Sequence, residues 1–126
     1  MEFIDTHSHL YNEQFNNDRS EVIVNAIALG VETILLPNIS SKYTNKMLAL
    51  CNEFPKNCYP MMGLHPCDVT EENYTDEISH VEKELTKGGY IGVGEIGIDL
   101  TDHSGGFTHI EFPENFQYLQ NGHIKK

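Results

Sequence analysis

Positive charge is scarce in this chain: eight Lys and Arg face nineteen Asp and Glu, for a formal net charge of −11. That balance repels a polyanion at long range and argues against a broad basic nucleic-acid-binding face. If a phosphate ester is the substrate, divalent metal has to supply the attraction locally. Cysteine is also sparse. Cys51, Cys58 and Cys67 make an odd set with no C-x-x-C spacing, which argues against a disulfide framework or a zinc knuckle and fits reduced packing thiols. No run of about 18 apolar residues is present, so no membrane partner is expected. Met1 leads into an apolar strand rather than a basic and then apolar leader, and the expected location is the cytoplasm. The 126 residues can bury one core. A complete eight-unit α/β barrel takes about 250 residues, so half a barrel is what fits.

What is present is a regular alternation. Four short apolar runs, Phe3-Ile4, Val31 to Leu36, Cys58 to Leu64 and Tyr90 to Gly94, read as strands. The second is near-continuously hydrophobic, as in strands buried on both faces of a parallel sheet. Between them lie helix signals. Asp18 with Glu21 has capping-box spacing, Val22, Ile23, Ala26 and Ile27 form a stripe, and Gly30 sits at a C-terminal cap, predicting a helix over about 19–29. Ser41 is the expected cap of a second helix carrying Tyr43, Met47, Leu50, Cys51 and Phe54 on one face and stopping before Pro55. Thr75 is the expected cap of a third, with Ile78, Val81 and Leu85 inward and Gly88-Gly89 at its end. This β-α-β-α-β-α-β order implies a parallel sheet with right-handed crossovers. Residues 1–100 are therefore expected to form half of a (β/α) barrel. Residues 101–126 have no clean period and are expected to be an irregular tail, with one short strand near 109–112.

In such folds chemistry collects at the carboxyl ends of the strands, where loops vary over a rigid sheet. Those ends carry Asp5, His7 and His9, then Asn38, then His65, then Glu95 and Asp99. Residues two apart on an extended segment share a face, so His7 and His9 can aim both imidazoles at one metal ion; the rival reading is a surface histidine pair. Glu95, between Gly94 and Ile96-Gly97, can reach a metal from the barrel floor and bridge two ions, or pair with a cation in the interior. Asp99 is placed to orient a ligand histidine or to cap a turn. His65, followed by Pro66, is placed to bind a substrate phosphate, to approach the metals, or only to bond the backbone. His80 falls on the third helix and is expected at the surface, while His103, His109 and His123 fall in the tail.

Ile4-Asp5-Thr6-His7-Ser8-His9-Leu10, Gly63-Leu64-His65-Pro66 and Ile91-Gly92-Val93-Gly94-Glu95-Ile96-Gly97-Ile98-Asp99, in this order, resemble the TatD family of metal-dependent hydrolases over about residues 1–100. The resemblance implies a TIM-type metal-dependent hydrolase barrel, here its amino-terminal half with about four strands and three helices. It implies divalent-metal-dependent cleavage of DNA phosphodiesters with two ions, Mg, Mn or Zn. His7 and His9 would bind one ion. Glu95 would be a ligand shared with the second. From their places at the strand ends, Glu95 is also the expected catalytic carboxylate and His65 the expected substrate-binding residue. Departures accompany the likeness. Cys67 stands where members commonly have a second histidine, the chain lacks tryptophan, and the pattern is left at about Leu100. The later strand-end histidines and the final aspartate are missing, so activity of this shortened chain alone is expected to be weak or absent. Open sheet edges imply self-association, or a tail that covers an edge. A non-catalytic metal-binding or assembly half-barrel is one alternative; an amidohydrolase or a polymerase-associated type of phosphoesterase, which also opens with His-x-His, is another. The Gly-Glu-Ile-Gly context of Glu95 argues against the latter pair.

Overall fold

The computed structural model describes residues 1–97. Among them, strands β1 (Phe3–Asp5), β2 (Val31–Pro37), β3 (Cys58–Met62) and β4 (Gly92–Val93) form one sheet in chain order, every pair parallel. Helices α1 (Arg19–Ala28), α2 (Ser41–Glu53) and α3 (Tyr74–Lys87) supply the three crossovers. This is the first half of a (β/α) barrel, as the alternation predicted. Asp99, His103, His109, His123 and the expected tail over 101–126 lie outside the described residues.

Burial along the strands alternates rather than running continuously. Ile34 and Leu36 of β2 and Cys58, Pro60 and Met62 of β3 are buried under the helices with Ile23, Met47, Leu50 and Cys51, whereas Thr33, Leu35, Tyr59 and Met61 on the opposite face are only partly covered. Among the described residues no opposing strands close that second face, so the expectation of burial on both faces holds for one face only. Burial pushes the Cys51 thiol up to about 12 and the Cys58 thiol to about 11, leaving both as inert packing groups.

The helix ends differ in detail from the expected caps. Asp18 stands before α1 but makes no side-chain cap bond, because its φ of −139° and ψ of 6° depart from the extended cap conformation. Ser40, not Ser41, precedes α2, and its hydroxyl donates to Asp68 Oδ2 at 2.8 Å. Ser41 is the first helical residue, where its backbone N–H and hydroxyl both donate to Glu77 of α3, at 2.8 and 2.6 Å. Asn73 replaces Thr75 at the start of α3 and exchanges two hydrogen bonds with Thr70. Inside α3 it is Glu84, not Leu85, that is buried, its carboxylate accepting from the Tyr90 hydroxyl at 2.7 Å and pairing with Lys87. Gly30, at φ +98°, ends α1 where a Cβ would stand 2.6 Å from the Met1 carbonyl oxygen.

Candidate metal centre

Backbone bonds between the loops leaving each strand bring the site together. Ser8 N–H donates to the Leu35 carbonyl, His65 N–H to the Ile39 carbonyl, and Glu95 N–H to the Asn38 carbonyl. Asn38 is the hub. It is fully buried, its own N–H is shared by the Met61 and Gly94 carbonyls, and its side-chain amide donates to the Ser40 and Gly63 carbonyls at 3.1 Å each. Gly63 is required by the same stitching: a Cβ there would stand 2.4 Å from both the Gly94 carbonyl carbon and the Glu95 carbonyl oxygen. The Gly of Gly-Leu-His-Pro thus lets the end of β3 touch the segment that carries Glu95.

His7, His9 and Glu95 meet at one point. Glu95 Oε2 lies 3.1 Å from His7 Nε2 and 3.1 Å from His9 Nε2, and the two nitrogens are 3.1 Å apart. His65 Nε2 approaches the other carboxylate oxygen, Oε1, at 3.3 Å. Asp5 does not join the cluster. Its carboxylate accepts the His7 backbone N–H at 3.0 Å and so fixes the turn out of β1. His80 is only partly exposed and bonds Thr44 Oγ1 at 2.8 Å between α2 and α3, away from this cluster.

Hydrogen-bond partners assign the protons on the two inner histidines. Tyr11 is buried and its phenol is pushed far above its ordinary value, by burial first and the Glu95 charge second. It keeps its proton, which it donates to the Pro37 carbonyl at 2.5 Å. His9 Nδ1, 2.8 Å from the Tyr11 oxygen, must therefore be the donor in that contact, which leaves His9 Nε2 bare. Burial, only partly offset by Glu95, lowers His9 below the ordinary 6.5 and favours this neutral form. His65 is locked in the opposite tautomer: its Nδ1 accepts the Cys67 backbone N–H at 3.0 Å, so its neutral ring carries the proton on Nε2, facing Glu95. Around Glu95, then, one imidazole offers a lone pair and another offers a hydrogen.

That pattern fits a divalent cation. A bare His9 Nε2 and a carboxylate oxygen repel at 3.1 Å unless something positive lies between them. A hydrogen on His7 Nε2, shared between the two, meets the need in the metal-free state. With that hydrogen moved to Nδ1, His7, His9 and Glu95 present three donor atoms within 4.8 Å of one another. Arg19 braces the loop behind them, donating to the carbonyls of Leu10, Tyr11 and Asn12 at 2.7 to 3.2 Å. Tyr11, Asn38 and Arg19 are the residues whose roles sequence reasoning missed. Asn38 carried the signal of its strand-end position, and Tyr11 that of the next alternate position after His7 and His9.

Comparison with known proteins bears on family and fold. The family model described as TatD related DNase matches residues 4–115. The 3'-5' ssDNA/RNA exonuclease TatD of Pectobacterium parmentieri (strain WPP163) is 27% identical over 94 residues, 73% of this chain and 35% of that protein. The uncharacterized metal-dependent hydrolase YabD of Bacillus subtilis (strain 168) is 33% identical over 100 residues, 75% of this chain and 36% of YabD. The crystal structure of YJJV, a TatD homolog from Escherichia coli K12, superposes with a TM-score of 0.75 at 28% identity, covering 98% of this chain and 45% of that one. The chain thus spans about a third of the length of the curated relatives it matches. No helix among the described residues is long and apolar enough to cross a membrane. With a family model matched over most of its length, the chain belongs to the TatD related DNase family.

Proposed function

We propose that this chain carries the first part of a hydrolase site that cleaves DNA phosphodiester bonds with divalent metal, Mg, Mn or Zn, two ions serving the complete site. The observation that supports it most is the convergence of His7 Nε2 and His9 Nε2 on Glu95 Oε2, with His9 locked in the tautomer that offers a lone pair. Divalent metal held there would supply an acidified water and neutralise charge on the phosphate. His7 Nε2, His9 Nε2 and Glu95 Oε2 would hold the ion, and Glu95 Oε1 would accept the proton of the attacking water. His65, a hydrogen donor at Nε2, positions Glu95 and then turns that hydrogen to a phosphate oxygen of the substrate. Residues 1–100 act as the catalytic half-barrel and 101–126 as a separate segment, in the cytoplasm.

Three donors hold a cation more loosely than a full set, and the family's later ligands are not found among the described residues. Cleavage by this chain alone is accordingly weak or absent, because a loosely held cation would activate water and neutralise the phosphate less effectively. Manganese titration followed by oligodeoxynucleotide cleavage tests the reading. Binding is expected in the unsubstituted chain and is lost in His9→Ala and Glu95→Ala, along with whatever cleavage is present. Tight metal binding with no cleavage, even when the carboxyl-terminal half of a relative is added, would favour a non-catalytic metal-binding half-barrel; no metal binding at all would overturn the proposal.

A further inference from the structure

We propose that Lys42, Tyr43 and Lys46, in the first two turns of α2, form a subsite for single-stranded nucleic acid, gripping a backbone phosphate beside the one held at the metal centre. The inference rests on the proposed function and names where the strand runs once it leaves His7, His9 and Glu95. Tyr11 connects the two places. Its hydroxyl supports His9, and its ring lies 5.7 Å from the His9 ring and 5.9 Å from that of Tyr43. Beyond Tyr43 stand two cations: Lys42 Nζ is 3.4 Å from the Tyr43 hydroxyl and 4.9 Å from its ring centre, and Lys46 Nζ is 5.8 Å from that centre. Positions four apart share a helix face, so both ammonium groups serve one surface.

Charge makes this patch unusual. The chain has eight Lys and Arg and a net charge of −11, yet two of its cations flank one aromatic ring beside the metal centre. Other cations are committed, Arg19 to backbone carbonyls and Lys87 to Glu84. Glu13, 2.5 Å from Lys46, and Asp68, close enough to act on Lys42, are the acidic groups that face the pair. The Glu13 contact is exposed on both sides and already places an anionic oxygen on Lys46, a position a phosphate oxygen can take. A partly exposed tyrosine between lysines is how sequence-tolerant single-strand sites are built, with bases stacking on the ring and cations following the backbone. A duplex keeps its bases inside and cannot use the ring.

Fluorescence anisotropy with labelled oligothymidylate, on the full chain in chelator and over a salt series, tests this apart from catalysis. The double variant Lys42→Gln/Lys46→Gln should reduce the salt slope by about 0.7 per lysine. Tyr43→Leu should weaken binding at unchanged slope, and Lys56→Gln/Lys83→Gln should leave both untouched. The chelator removes any metal contribution from this assay, so that failure of the hydrolase reading leaves this result standing. No binding by the unsubstituted chain, or a full slope in the Lys42/Lys46 variant with its circular dichroism unchanged, would overturn the subsite.

Discussion

Tyr11 carries one hydroxyl proton, and by giving it to the Pro37 carbonyl it obliges His9 to donate from Nδ1 and present Nε2 bare. Partners of this kind typically contribute 10–100-fold to metal affinity, so Tyr11→Phe is expected to weaken manganese binding by about that factor. The fold should lose about 1–3 kcal/mol, because the Pro37 carbonyl and the His9 Nδ1 hydrogen both lose their partner; calorimetry reads the first and thermal unfolding the second. His65→Gln should leave affinity nearly unchanged, since His65 offers a hydrogen and not a lone pair. Protons compete for the same imidazoles. Because the folded His9 value lies below 6.5, the metal-free native state binds fewer protons than the unfolded chain, and the His9 contribution to stability stands above about 6.5 and erodes as pH falls. Metal affinity should be flat above that value and fall beneath it, with His9 holding out to lower pH than an ordinary imidazole. His7, His9, His65 and Glu95 were legible in the sequence because strand ends are. Their tautomers were not, since the Pro37 carbonyl that commits Tyr11 comes from a different strand.

At the scale of elements, the close crossing of β3 and β4 separates two glycines that look alike in sequence. A Cβ on Gly63 meets backbone at 2.4 Å, whereas a Cβ on Gly94 meets the Met61 methyl at 2.9 Å. Backbone cannot yield and a methionine end can. Gly63→Ala is therefore expected to cost about 1–3 kcal/mol of overpacking and to displace Glu95, abolishing metal binding. Gly94→Ala should stay close to the unsubstituted protein in urea unfolding. The helices show the same division between local and distant causes. The apolar stripe of α2, with Met47, Leu50 and Cys51 inward, was readable from periodicity. Its start was not, because the groups that satisfy Ser40 and Ser41 are Asp68 and Glu77, brought in by the next crossover.

For the molecule as a whole, the open edges matter most. β1 pairs only with β2 and β4 only with β3 among the described residues, and Phe3, Ile4, Ile91 and Val93 remain exposed along these two edges. Unpaired edges with apolar side chains invite pairing, while a charge of −11 opposes it at low ionic strength. Sedimentation velocity should show association that grows with protein concentration and with salt, as screening removes the repulsion. A compact monomer throughout would contradict it. Parallel order and half-barrel size could be read from alternation and length. The half-covered inner face could not, because a buried strand has the same composition whether or not its far side is closed.

Arg19 lies outside the cluster of donors, yet its guanidinium clasps three successive carbonyls just beyond His9. A loop pinned in this way is already in its bound shape, so capture of an ion should order nothing and bury almost no new apolar surface. The heat-capacity change of metal binding should then be close to zero. In Arg19→Gln the loop has to order during binding, and calorimetry over several temperatures should return a distinctly negative value together with a less favourable entropy.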